Sequence, residues 1–190
     1  MKTFGVAMMM TLVAASLAAQ PREGKSFELS LSGSYQYFSF GEGSDGSGAF
    51  LVSPRFGVFI VDGLEFEPEV LLMFASERDP VYVLNGLLSY NFLSVGTAVP
   101  FLLVGYGVAN TVPFFNVPLT NYDFTVGVVN AGTGVKVFLT EDIALRIEYR
   151  FQKYTGEGEH TSNYGFGSFS WTQKVDTRIH SAQFGISILL

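Results

Sequence analysis

The chain reads as all-β, an eight-stranded antiparallel up-and-down transmembrane β-barrel, and three observations predict this. Apolar and polar residues alternate with period two along successive stretches, the mark of strands with two unlike faces. Each stretch holds about ten residues, enough to cross a bilayer when tilted. Charged residues make up only 15% of the 190, against about 25% in ordinary soluble domains, which is too few for an exterior facing water on all sides.

The first strand starts at Phe27, where Phe27, Leu29, Leu31, Tyr35 and Tyr37 oppose Glu28, Ser30, Ser32, Ser34 and Gln36. A glycine-rich connection follows at Glu42–Gly48. The second strand runs from Ala49 to Val61, with Phe50, Val52, Phe56, Val58 and Ile60 opposite Ser53, Arg55 and Gly57. Asp62-Gly63 is a two-residue hairpin signal, because glycine accepts the positive φ such turns need. The third strand sets Leu64, Phe66, Pro68, Val70, Leu72 and Phe74 against Glu65, Glu67 and Glu69. After a polar connection, Ala75–Pro80, the fourth strand runs from Val81 to Phe92, with Asn85, Ser89 and Asn91 on its polar face.

The fifth strand, Val99 to Ala109, is apolar on both faces but keeps Gly105 and Gly107 on one. A longer connection, Asn110–Asn121, leads into the sixth strand, Tyr122 to Leu139, where Asn130, Gly132, Gly134 and Lys136 share a face. The short turn Thr140-Glu141-Asp142 precedes the seventh, with Ile143, Leu145, Ile147, Tyr149 and Phe151 opposite Arg146, Glu148, Arg150 and Gln152. Lys153 to about Gln173 reads as a long loop rich in glycine, serine, threonine and aromatic residues. The eighth strand closes the chain, with Ala182, Phe184, Ile186, Ile188 and Leu190 opposite Gln183, Gly185 and Ser187. Pro54 and Pro68 fall inside strands, where a missing donor predicts bulges or register changes.

Residues 1–19 read as a secretory signal peptide. Lys2 supplies the positive start, Phe4 to Leu17 is apolar or small, and Ser16-Leu17-Ala18-Ala19 offers a small-residue cleavage site. The apolar run is too short for a membrane-spanning helix. Residues 20–190 then form one barrel domain. Removal of the signal peptide takes Lys2 but no acid, so the mature chain is one charge more acidic than the formal −6.

Alternation alone does not say which face points inward. A soluble carrier would hide the apolar face, whereas a membrane barrel turns it to lipid. Besides the low charge, two features favour the membrane. Aromatic residues recur near strand ends (Tyr35, Tyr37, Tyr90, Phe92, Phe138, Tyr149 and Phe151), as interfacial girdles do, and connections alternate long and short, like outer loops and inner turns. The longer connections then face outward, with the N-terminus on the periplasmic side.

Several classes drop out. The apolar content excludes disorder, and the absence of cysteine excludes disulfide scaffolds and thiolate metal sites. An acidic chain with eleven scattered bases has no footprint for nucleic acid. Two histidines without cysteine give no metal-ligand spacing, and no cofactor is expected. The acids and glycines around Asp45 lack a repeated calcium pattern.

The stretch Val129–Thr140, followed by Ile143–Phe151, resembles the sixth and seventh strands of the small outer-membrane β-barrel domain family, related to OmpA and OmpX/Ail barrels. Pro100-Phe101-Leu102 through Gly105-Tyr106-Gly107 is similar to that family's fifth strand. Phe184–Leu190 resembles its terminal strand, although Leu190 stands where the family usually ends in Phe. The resemblance implies the outer membrane of a Gram-negative-type bacterium, lipopolysaccharide as surrounding lipid, and recognition by the barrel-assembly machinery. It implies a structural or adhesion-like role, with a host or surface ligand met by the outer loops.

With the apolar face outward, the strands aim five acids (Glu28, Glu65, Glu67, Glu69 and Glu148) and four bases (Arg55, Lys136, Arg146 and Arg150) into the lumen. Eight strands enclose space for side chains only, and near-balanced charge is what a closed ion-pair network needs. The expectation is a rigid plug; a narrow gated channel is the alternative. One enzymatic hint stands apart. His160-Thr161-Ser162-Asn163 is similar to the His-x-Ser-Asn of PagL-type lipid A deacylases, but Lys153 and Thr155 occupy the places after the seventh strand where that family carries its His and Ser. A polar loop without catalysis is the expected reading. His180 reads as an interfacial residue, and Tyr164, Phe166, Phe169 and Trp171 as an aromatic outer loop.

Overall fold

The computed structural model describes residues 25–38, 47–75, 80–92, 96–110, 126–164 and 167–190; the side chains of residues 37, 38, 47, 158–173 and 175 are not among them. The expected signal peptide, the Asp45 loop and most of the 75–80 and 110–121 connections lie outside the described residues.

Eight strands form one closed barrel in sequence order: β1 (Phe27–Phe38), β2 (Ser47–Val61), β3 (Leu64–Ala75), β4 (Val81–Asn91), β5 (Ala98–Ala109), β6 (Val126–Phe138), β7 (Ile143–Tyr164) and β8 (Gly167–Leu189). Every neighbouring pair is antiparallel, and β1 meets β8 to close the sheet. Over the paired length, closure removes the sheet edges that a bilayer cannot satisfy with hydrogen bonds.

The parity question has a clear answer. Leu29, Val104, Ile186 and Phe184 stand outward and are 50–62% exposed, while Glu65, Arg146 and Arg150 are buried to 1% or less. A belt of large apolar side chains on the outside of a barrel that buries its charges is a lipid-facing surface. The belt ends on β7 and β8 at Phe151 and His180. Above it the outward side chains are Lys153, Glu157, Lys174, Asp176 and Arg178, joined by the pairs Lys153–Asp176 (3.2 Å) and Lys174–Glu157 (2.6 Å).

Four sequence expectations need correction. The segment from Lys153 to Gln173 is a β-ribbon rather than a loop. Beyond Thr155, where β6 stops pairing, β7 and β8 pair alone from Gly156↔Val175 to Tyr164↔Gly167. Threonine and aromatic residues favour extended backbone, and this outweighs the glycines. Nine further pairs at about 3.3 Å per residue carry the ribbon roughly 30 Å past the rim.

The prolines do not shift the register. Pairing between β2 and β3 lapses at Ser53–Pro54 and again opposite Pro68, then resumes unshifted at Arg55↔Glu69 and Val58↔Phe66. Pro54 keeps its place opposite Leu31, and Pro68 opposite Gly86. Both missing donors thus fall on one seam, and the ladders on either side hold the alignment. The one β2–β3 register shift among the described residues lies between Phe59 and Val61, beside the turn.

Phe138, expected in the girdle, is turned inward and buried. One residue past the lipid-facing Val137, it plugs the inner mouth. The lumen is also less uniformly polar than alternation predicts. An apolar layer of Leu51, Leu71, Met73, Val83, Val128 and neighbours fills the outer end, and Val99, Phe138, Ala144 and Leu189 fill the inner end. The charges lie between.

Candidate functional site

The waist of the lumen is the chemically richest place in the molecule. Its side chains arrive from alternate positions of β1, β2, β3, β6 and β7, since residues two apart on a strand share a face. Glu65, Glu67 and Glu69 form one vertical row on β3, and Arg146, Glu148 and Arg150 form another on β7. All nine sequence-selected charges lie on the inner wall, each no more than 3% exposed.

Two linked clusters result. In the outer one, Glu69 accepts from Arg55 Nε (2.5 Å), from Arg150 Nη1 (2.6 and 2.8 Å), from Ser53 Oγ (2.7 Å) and from Asn85 Nδ2 (2.7 Å). Glu148 accepts from Arg55 Nη1 at 2.7 Å and from Arg150 Nε at 2.7 Å. In the inner one, Lys136 Nζ donates to Glu28 (2.6 Å) and to Glu65 (2.9 Å), and Asn91 Nδ2 donates to Glu65 (3.1 Å). Arg146 joins the two, with Nη1 3.5 Å from Glu28 of the inner cluster and Nε donating to Glu148 of the outer one at 3.1 Å; its Nη1 also lies 3.0 Å from Glu67.

Several participants were not singled out in the sequence. Gln183 accepts from Arg55 Nη2 at 2.8 Å. Gln152, Asn130 and Asn85 form a donor chain that ends on Glu69, with steps of 3.0, 2.9 and 2.7 Å. Their parity was visible, but uncharged amides did not stand out. Phe101 lies inside the barrel, its ring centroid 4.4 Å from the Arg146 guanidinium carbon and 5.7 Å from Lys136 Nζ, so both cations sit over its face. The signal for it was the parity it shares with Gly105 and Gly107. Gly134 makes room: a Cβ there would collide with the Phe101 ring and the Ile147 carbonyl.

Paired, desolvated charges of this kind bind one another, and truncating one strands the rest. Among the described residues no group of three or more side chains could hold a metal ion. His160 and Ser162 lie on β7 in the projecting ribbon, and their side chains lie outside the described residues, as do those of Tyr164, Phe166, Phe169 and Trp171. His180 stands on the outer face, where Tyr149 Oη and His180 Nδ1 are 2.5 Å apart and Phe151 packs against the imidazole at 5.1 Å.

No family model matches the chain, and no curated protein matches it. Solved structures do. The N-terminal β-barrel domain of Pseudomonas aeruginosa OprF is similar with a TM-score of 0.56 and 14% identity, over 88% of this chain and 100% of that one. Neisserial surface protein A matches with a TM-score of 0.58 and 14% identity, again over 88% and 100%. The outer membrane protein OprG from Pseudomonas aeruginosa gives 0.51 and 11%, over 89% and 99%. With its lipid-facing belt and buried charges, the chain is a transmembrane β-barrel with the fold of the small eight-stranded outer-membrane proteins.

Proposed function

We propose that the protein is a closed, non-catalytic barrel of the bacterial outer membrane whose role is surface interaction through its outer segments. The β7–β8 ribbon carries this reading. Its paired strands extend well past the lipid belt and past the point where β6 and β1 stop pairing with them. Among the described residues nothing pairs with the outer edges of this ribbon, and an extended segment of another protein can add to such an edge. The barrel below it, with paired charges held between apolar layers, serves as a rigid mount in lipopolysaccharide and is inserted by the barrel-assembly machinery. A host or surface ligand is the partner this arrangement suits.

The test compares cells displaying the full protein with cells displaying a variant whose residues 157–174 are replaced by a two-residue turn. Both should show heat-modifiable gel mobility, the sign of a folded barrel. Full-length cells should adhere to one another or to a mammalian cell monolayer several-fold better than the shortened variant. Equal adherence overturns the ribbon's role, and discrete conductance in planar bilayers overturns the closed lumen. On this reading solubilised protein releases no fatty acid from lipopolysaccharide, and Ser162→Ala changes nothing.

A further inference from the structure

The barrel is incompletely zipped at the seam between its first and last strands. β1 and β8 pair over six positions only, from Glu28↔Leu189 to Gly33↔Phe184, although both strands run on towards the outer side. Continued in the same register, Ser34, Tyr35 and Gln36 would meet Gln183, Ala182 and Ser181. They do not. Instead β8 follows β7 into the ribbon, β1 stays with β2, and a cleft of about 570 Å³ opens between them. That volume is in the range of small-molecule sites.

The cleft has two unlike walls. Tyr35, Phe50, Ala182 and Phe184 belong to the outward, lipid-facing set, while Ser34, Gln36 and Ser181 belong to the inward set and are buried. Gln36 is 8% exposed, and among the described residues neither its Oε1 nor its Nε2 has a hydrogen-bond partner. A buried amide with both ends unmet is rare in folded proteins. Strand edges left open at bilayer depth are tolerated only where they are buried in protein or line a water-filled cavity. The lining runs from Phe184 to His180, where the apolar belt ends, so the cleft opens at the outer membrane–water boundary, where acyl chains and head groups both reach it.

We propose that this cleft is a lateral binding site for an amphiphile drawn from the membrane. The acyl chain lies against Tyr35, Phe50 and Phe184, and the head group, bearing both a donor and an acceptor, meets the cleft wall at Ser34 and Ser181 and gains the unmet amide of Gln36 when that side chain turns toward it. The proposal rests on the transmembrane reading of the belt and is independent of any role of the ribbon. The lumen below the cleft stays closed, so the amphiphile docks without passing through.

The test uses the full protein folded in phosphatidylcholine vesicles doped with lysophosphatidylethanolamine that carries a diazirine on its acyl chain. After illumination, peptide mass spectrometry maps the adducts. They should concentrate on residues 34–36 and 181–184, several-fold above Val104 or Leu145 on other parts of the belt. Ala182→Trp, which fills the cleft, and Gln36→Leu, which removes the amide, should each lower the local labelling several-fold. A diazirine-bearing alkane without a head group should label the belt evenly. Even labelling by the lysolipid, or labelling indifferent to both variants, overturns the site. Heat-modifiable mobility shows whether each variant folds. If the variants do not fold, the wild-type map alone decides, and loss of that mobility in the wild-type protein would instead sink the membrane reading.

Discussion

Arg55 on β2 reaches across the lumen to Glu148 on β7, its Nη1 2.7 Å from Oε2, although 93 residues separate them in the chain. The same guanidinium holds Glu69 on β3 and Gln183 on β8, so one side chain ties four staves of the barrel. Glu148 in turn serves Arg55, Arg146 and Arg150. Glu148→Ala therefore leaves three buried cations short of a partner, and the expected cost is about 3–5 kcal/mol. Urea titration of the protein in lipid vesicles measures it. Arg55→Ala with Glu148→Ala should cost less than the two single losses together, because the pair is removed as a unit. Additive losses would show that the two residues act independently.

The layered lumen makes a separate prediction about conduction. Hydrated ions meet an apolar layer at each end before reaching the charges, and such constrictions dewet. Glu67→Gln should therefore leave planar bilayers as silent as the wild-type protein, even though it upsets the waist. Discrete conductance steps from either protein would contradict the arrangement of Leu51, Leu71 and Met73 outside and Phe138 and Leu189 inside.

What could be read in the sequence follows from the range of each interaction. Strand positions and the facing of Glu65, Glu67 and Glu69 depend on period two, which is local and survives in a single chain. Bonds between those residues depend on which strands sit across the barrel, and alternation carries no such information: nothing near Arg55 names Glu148. The ribbon was missed because glycine and serine at 156–170 signal flexibility one residue at a time, whereas pairing along the whole hairpin sets the outcome. Phe101 was missed for a related reason. Both faces of β5 are apolar, so only the parity shared with Gly105 and Gly107 pointed inward, and that contrast is weak.

The Asp62-Gly63 turn supplies a prediction where local and global structure agree. Gly63 has φ +79°, a left-handed conformation that costs an L-residue about 1–2 kcal/mol. A Cβ there would also press on the Asn91 carbonyl oxygen at 2.7 Å, and that residue's main-chain N–H donates to the Gly63 carbonyl at 2.6 Å. Gly63→Ala should thus destabilise the barrel by at least this amount, and Gly63→Asn by less, since asparagine tolerates positive φ better than alanine does. Urea midpoints in vesicles would rank the three; a rank with alanine above asparagine would argue that the contact with Asn91 governs the turn.

The lipid-facing assignment predicts a gradient with depth. Val104 lies at the middle of β5 with its side chain outward and 58% exposed, while Leu139 stands just past the end of β6. A cation at the bilayer midplane costs about 2–4 kcal/mol, falling to about 0–1 near the interface. Val104→Arg should therefore lower the unfolding free energy in vesicles by the larger amount and Leu139→Arg by the smaller. Neither substitution touches the lumen, so water on the outer face would render both nearly harmless. Equal, small losses would thus place the belt in solvent. In detergent micelles, which thin and adapt around the barrel, the difference between the two should shrink, and this separates a depth effect from a defect in packing.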